Sequence, residues 1–435
     1  MSPVNLYEIS VWIDRVDSTP QDVTSIPPLC PRAHDDQQNP RQTNKGKRRL
    51  MDGNLDLEET PRPSKRQRDI IDVAQLPLGA PRLFPSPSPT KSNTTPSEAS
   101  EASLESHQSG RLSPSKQLQA LEDEDQPIFF CNFGDIEEHE ERVDVATMRD
   151  AIQAFADGVG ILGYEDLHTV KASLSSTMDR SRFGYSWANN CTQRLTYGAM
   201  PSIACLEDIV RAGWNNDRGT GTSEDDWNTD VQRPLIKLAL ETCKHKATLN
   251  IHGVKTLTID PKSLARTKEG IPRRIIDYVV ALKSDEITKQ AWHTLEPLSV
   301  DGRKTIKSWN HVTRNRNLRT EPIAINVETK GPHKSWTDGK PQIAIWTDAW
   351  LNRLSLLPRA KEKTGPWPAI PLLIAQGHDW HLLVISRDGE KMVIRDKIDV
   401  GSTRSCFDAM KVVAVLHWCM DWAETVWRPW FLALI

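Results

Sequence analysis

The chain has 435 residues, a net charge of −3, 29 prolines and seven cysteines, and only 38% of it is hydrophobic. That charge excludes a polyelectrolyte acting through bulk attraction, so any nucleic-acid contact must come from local patches. The cysteines are scattered with no C-x-x-C pair and give no zinc framework, and no run reaches the ~18 apolar residues of a membrane span.

The averages hide two unlike parts. Residues 1–126 are rich in Pro, Ser, Thr and charge, whereas fourteen of the fifteen tryptophans lie beyond residue 180. The first part buries too little apolar area to offset its ordering entropy and is expected to be a disordered basic arm. Its opening "LYEISVWI" alternates like a short strand or docking segment. Two basic clusters follow, "KGKRR" at 45–49 and "SKRQR" at 64–68. They read as a nuclear import signal or nucleic-acid contact, or as solvated charge. "PSPSPTK" and "RLSPSK" offer sites to a proline-directed kinase or are chance in a Ser/Pro-rich tract. The N-terminus has neither the basic nor the apolar region of a secretory leader, so a soluble, intracellular protein is expected.

Residues 127–220 are expected to form a helical lead-in, with helices near 144–157 and 202–214, the first closed by Gly158. From 221 to 435 the pattern describes one α/β domain. Trp227, Val231, Leu235 and Leu238 fall on a helical stripe that Pro234 kinks or restarts. The period then drops to two in "TLNIHGVKTLTID" (248–260), "RRIIDYVVAL" (273–282) and "IAINVETKG" (323–331). A polar insertion at 283–321 separates the last two. A helix with Pro341 in its first turn follows near 341–356, then strands in "PLLIAQG", "WHLLVISR" and "KMVIRDKI", and an amphipathic Trp-rich helix near 405–425. The order helix–β–β–β–helix–β–β–β–helix implies a mixed central sheet flanked by helices.

Strand alternation puts Asn326, Glu328 and Lys330 on one face and Ile325 and Val327 on the other. Asp277 sits among Ile275, Ile276, Tyr278 and Val279, where an unpaired carboxylate costs several kcal/mol. A divalent cation shared with Glu328 is one partner that relieves it; Mg²⁺ typically takes one or two carboxylates with carbonyl oxygen and water. Lys330 would help deprotonate an attacking water and neutralise charge on a phosphate.

An Asp on one strand, Glu-x-Lys on the next and a helix carrying Gln immediately afterwards resemble the PD-(D/E)XK nuclease superfamily, and within it the fungal nuclease-like branch that follows a disordered arm. The matching residues are Asp277 in "RRIIDYVV", Glu328 and Lys330 in "NVETKGP", and Gln342 in "KPQIAIW"; the likeness spans roughly 200–435. It implies a restriction-endonuclease-like core and hydrolysis of a phosphodiester, of DNA in preference to RNA. It also implies Mg²⁺ or Mn²⁺ held by Asp277, Glu328 and the carbonyl of Thr329, with Lys330 acting on the water and Gln342 orienting Lys330 or a phosphate. The alternative is a catalytically inactive binding or protein-interaction module on the same fold. The acid that some members carry on the first core helix has Glu241 as its nearest candidate.

Other patterns read as structure. Asp260/Lys262 and Asp338/Lys340 repeat the Asp-x-Lys spacing at turns. His378 and His381 mark a hairpin. Trp418, Trp422 and Trp427 fit core packing better than a base-stacking platform. In the insertion, basic residues around Trp309 and His311 suit either a phosphate-backbone contact or a solvated loop.

Overall fold

The computed structural model describes residues 113–133, 141–163, 165–185, 194–219, 221–265, 275–300, 302–363, 365–388 and 391–435. The basic clusters, the opening segment and the PSPSPTK tract lie outside them. The described chain starts inside the stretch expected to be disordered. Ser113 accepts a hydrogen bond from the Lys116 amide and caps helix α1 (Pro114–Glu122), which buries Leu121. Leu118 and Leu121 sit three apart behind a first-turn Pro, a helix signal that an average over a Pro/Ser-rich arm conceals.

Next comes β1 (Ile128–Asn132), a strand rather than part of a helical lead-in, and it joins the main sheet beside its last strand. Helices α2 (Val143–Ala156) and α3 (Ile203–Asn216) follow near their expected positions. Ser223 and Asp226 form a reciprocal capping box for a helix that opens as Glu224–Trp227, passes through a π turn at Asn228–Gln232 and continues as α4 (Arg233–Thr242). Pro234 thus lies just past the π turn of one continuous helix, and no break results.

The period-two runs become β2 (Leu249–Gly253) and β3 (Tyr278–Leu282). The insertion folds into a helix at Glu286–Thr294, a hairpin of β4 (Ser299–Val300) and β5 (Arg303–Lys304), and a helical turn at Arg316–Thr320. It is not simply a solvated loop, because Trp309, His311 and Val312 are buried in the core while Arg303, Lys304 and Arg314 stay outside. Burial lowers the His311 pKa to about 3, so the ring is neutral and offers no charge to a phosphate. Then come β6 (Ile323–Lys330), α5 (Lys340–Leu354), β7 (Ile370–Gln376), β8 (Asp379–Asp388), β9 (Lys391–Ser402) and α6 (Cys406–Trp422).

Seven strands form one mixed sheet in the order β1-β9-β8-β7-β6-β3-β2, parallel only at β1–β9 and β6–β7. Both faces are covered, and so every residue of β6 is buried. One face meets α5, where Asn326 bonds Thr347 and Trp346; on the other, Thr329 reaches Asn228 in the π turn. Trp422, Trp427 and Trp430 are buried, with ring centroids 5.8 and 4.6 Å apart along the series, and Trp350 adds a further contact to Trp427 at 4.9 Å. Of the expected stripe, Trp422 and Trp427 are core, whereas Trp418 is only partly buried against it. No helix among the described residues is long and apolar enough to cross a membrane.

Candidate active site

The site grows from the pairing of β3 with β6. Tyr278 lies opposite Val327 and Val279 opposite Asn326, which sets Asp277 opposite Glu328 on the face turned to α5. Asp277 is not mid-strand as its apolar flanks suggested. It immediately precedes β3, its Oδ2 accepts from the Thr329 amide at 3.0 Å, and its own carbonyl accepts from the Val254 amide at 2.8 Å. The chain leaves the ladder at this point, and a carboxylate takes over the pairing of a β6 amide.

Glu328 is fully buried. Its Oε1 accepts from Lys330 Nζ, and its Oε2 is buried with no hydrogen-bond partner. The Lys330 ammonium, two residues along the same face, also donates to the Thr329 carbonyl at 2.9 Å. It therefore sits between two of the oxygens assigned to a cation. Burial drives the Glu328 pKa well above its usual value; the Lys330 charge pulls it down, and Asp277 and Glu224 push it up again. Burial likewise raises Asp277, opposed by its bonds to Thr329 and the charge of Lys330. Two acids and one base thus converge, and the acids feel each other.

Gln342 does not join them. Its Nε2 donates to the Ile275 carbonyl at 3.1 Å, tying the first turn of α5 to the segment that leads into Asp277. Glu241 is also elsewhere, in an exposed i,i+4 pair with Lys237 at 3.5 Å. The acid that the first core helix does bring to the site is Glu224. Its Oε2 accepts from Lys334 Nζ at 2.9 Å and from the Gly331 amide at 3.3 Å. Burial would raise Glu224, yet Lys334, Lys330 and the Gly331 amide outweigh it and the net shift is downward. The acid-rich turn "SEDDW" was the sequence signal for it. Asn228 is the other residue the pattern did not disclose. From the π turn its Oδ1 accepts from Thr329 Oγ1 at 2.9 Å, and its carbonyl accepts from Tyr278 Oη at 3.4 Å.

The remaining patterns are structural. Asp260 accepts from Thr313, Asp338 caps the turn before α5, and Lys340 is buried against Asp396. Gly377 and His378 connect β7 to β8, and the buried His378 Nδ1 pairs with Thr403 Oγ1 at 2.9 Å.

The donors suit a hard divalent ion. Glu328 Oε2 is a buried oxygen in want of a positive partner, Asp277 lies beside it, and the Thr329 carbonyl is on the same strand. Among the described residues no group of three His, Cys, Asp or Glu side chains is placed to hold a metal, so such an ion would keep several waters.

A mixed sheet with helices on both faces and an Asp, Glu-x-Lys set at adjoining strand ends defines a restriction-endonuclease-like nuclease fold. The family model of the PD-(D/E)XK nuclease superfamily matches residues 171–428, and the chain belongs to that superfamily. The match begins at 171, within the stretch ahead of the α/β domain. No curated protein matches the chain. Membership implies nuclease-like phosphodiester chemistry on a nucleic acid, and these enzymes typically use divalent metals such as Mg²⁺.

Proposed function

We propose that this protein is a metal-dependent phosphodiesterase that cuts DNA in preference to RNA, with Asp277, Glu328 and Lys330 at its centre. One observation carries the reading: a fully buried carboxylate keeps one oxygen unpartnered beside a second acid and a lysine. Such an arrangement works against folding and is retained where a cation or a reaction needs it. When bound, the ion would polarise the phosphate and make a water more acidic at neutral pH.

The chain's own side chains supply the rest. Asp277 and Glu328, with the Thr329 carbonyl, would hold the ion; Mg²⁺ or Mn²⁺ fits their chemistry. Lys330 Nζ, released from Glu328 Oε1, would orient the attacking water and offset charge on the phosphate. Gln342 fixes the chain before Asp277, and Asn228 fixes Thr329. Glu224 and Lys334 would stand at the rim, where the strand gives way to Gly331.

The test is nicking of supercoiled plasmid, and of RNA in parallel, with Mg²⁺ or Mn²⁺. Lys330→Ala should lower the rate by about 10²–10³ while the circular dichroism spectrum is kept. A specific feature favours a second reading, an inactive binding module: the Lys330 ammonium already engages Glu328 and Thr329 and partly neutralises the site without any metal. Wild type that binds DNA but never cuts it with any divalent ion selects that alternative. The basic clusters at 45–49 and 64–68 support nuclear import; a fluorescent fusion that stays nuclear after both are neutralised would remove this part.

A further inference from the structure

The row of side chains that begins at Asp277 does not end at Glu328. Glu328 pairs with Ile374 on β7, Ile374 with His381 on β8, and His381 with Asp399 on β9. Paired residues share a face, so Glu328, Ile374, His381 and Asp399 cross four strands in line, with Asp277 just before β3 beside the first of them. His381 stands two strand spacings, about 10 Å, from Glu328. At about 3.4 Å rise per nucleotide in a duplex strand, that is within about three nucleotides.

His381 is poised there in one form. Its Nδ1 is 2.7 Å from Asp399 Oδ1. Lys397, also 2.7 Å from Asp399 Oδ1, helps to hold that exposed carboxyl ionised, so it accepts only. Burial, with Lys397, lowers the imidazole pKa and keeps the ring neutral. The ring proton is therefore on Nδ1 and Nε2 is a bare acceptor. That Nε2 is buried and has no partner, in a residue only 6% exposed.

What lies around the ring suits a base. The Trp336 indole packs on His381 with centroids 5.5 Å apart. Lys340 Nζ lies 4.4 Å and Lys397 Nζ 5.1 Å from the same indole. Trp336 is half-buried at the start of the turn that leads to α5, and Gly339 at the end of that turn approaches both Glu328 and Ile374. His381, Lys397 and Asp399 also line a cleft of about 420 Å³ beside Trp380. An aromatic face, an unfilled acceptor and an exposed ammonium together recognise a nucleotide: stacking, an amino or imino donor on the base edge, and a phosphate.

We propose that Trp336, His381 and Lys397 form a nucleotide subsite, in which a base of the substrate strand near the scissile bond stacks on Trp336 and donates a hydrogen bond to His381 Nε2. This rests on the nuclease reading above and adds a positioning and base-selecting function to it.

The experiment uses the full chain and a panel of labelled DNA and RNA oligonucleotides differing in base near the cut. Binding is measured in a Lys330→Ala background and cleavage in the parent. Trp336→Ala and His381→Ala should each weaken binding and raise KM by about tenfold, with kcat within about threefold and melting behaviour kept. Trp336→Phe should retain most affinity, and His381→Ala should flatten the base preference. Lys397→Ala, on an exposed side chain, should lower the salt dependence of binding and provides a check that does not depend on core integrity. Unchanged KM, base preference and salt slope in a protein that still cuts would overturn the subsite alone. A wild type that neither binds nor cuts any nucleic acid would overturn both. Equal preference for DNA and RNA in the Trp336 and His381 effects places recognition on the base, and an effect on the sugar only would refute it.

Discussion

Asp277→Asn should make the metal-free protein more stable and catalytically dead. The carboxylate is buried, and its Oδ2 accepts from the Thr329 amide at 3.0 Å. An asparagine oxygen can keep that bond while the charge, and its repulsion with Glu328, disappears. Burial raises the Asp277 pKa in the fold, so between the unfolded and folded values the native state holds more protons. Stability therefore falls as pH rises through that interval. Removing the buried charge should therefore stabilise the metal-free fold. Each kcal/mol gained should raise the melting midpoint by ~2–4 °C for a domain of this size. A bound cation reverses the order, since a ligand at a hundred times its Kd adds about 2.7 kcal/mol to the native state. Thermal melts at neutral pH with EDTA and with saturating Mg²⁺ read both effects. A variant that melts below wild type in EDTA, or keeps the full Mg²⁺ shift, would refute the reasoning.

Three further outcomes follow from other contacts. Glu224 has a folded-state pKa below its usual 4.5, so its contribution is present above that value and is lost as pH falls through the folded one; its partial exposure limits this to about 1 kcal/mol or less. Glu224→Gln should flatten acid denaturation in that window, read by fluorescence against pH. Gly339→Ala would set a Cβ 3.2 Å from Glu328 Cγ and 3.3 Å from Ile374; overpacking of about 1–3 kcal/mol and a loss of cleavage are expected, measured by urea melts and plasmid nicking. Trp427→Ala removes a fully buried ring that touches Trp350, Trp422 and Trp430. A cost of about 3–5 kcal/mol should appear in the same urea melts.

The sheet was legible because its strands alternate or run apolar between turns, and its helices are amphipathic enough to mark their faces. Glu328 and Lys330 were legible because two residues along a strand share a side. The acid-rich turn that holds Glu224 was visible, but its place against β6, like that of Asn228, depends on how far a π turn rotates a helix. Gln342 stands where the family pattern sets it, and only the fold reveals that its amide is spent on Ile275. The insertion misled for another reason. Basic residues dominate its composition, while Trp309 and His311 turn inward at positions that no period marks. Helix α1 and strand β1, on either side of residue 126, are too small to alter a regional average.

The π turn at Asn228–Gln232 carries a mechanical consequence. Each residue of an α-helix turns it by about 100°, so winding the same number of residues at regular pitch would swing Glu224 to another azimuth relative to α4. Asn228 would leave Thr329 in the same motion. The extra residue thus works as a register key between helix and strand, and drift in the length of this segment would disarm the centre while every acid and base stayed in the sequence.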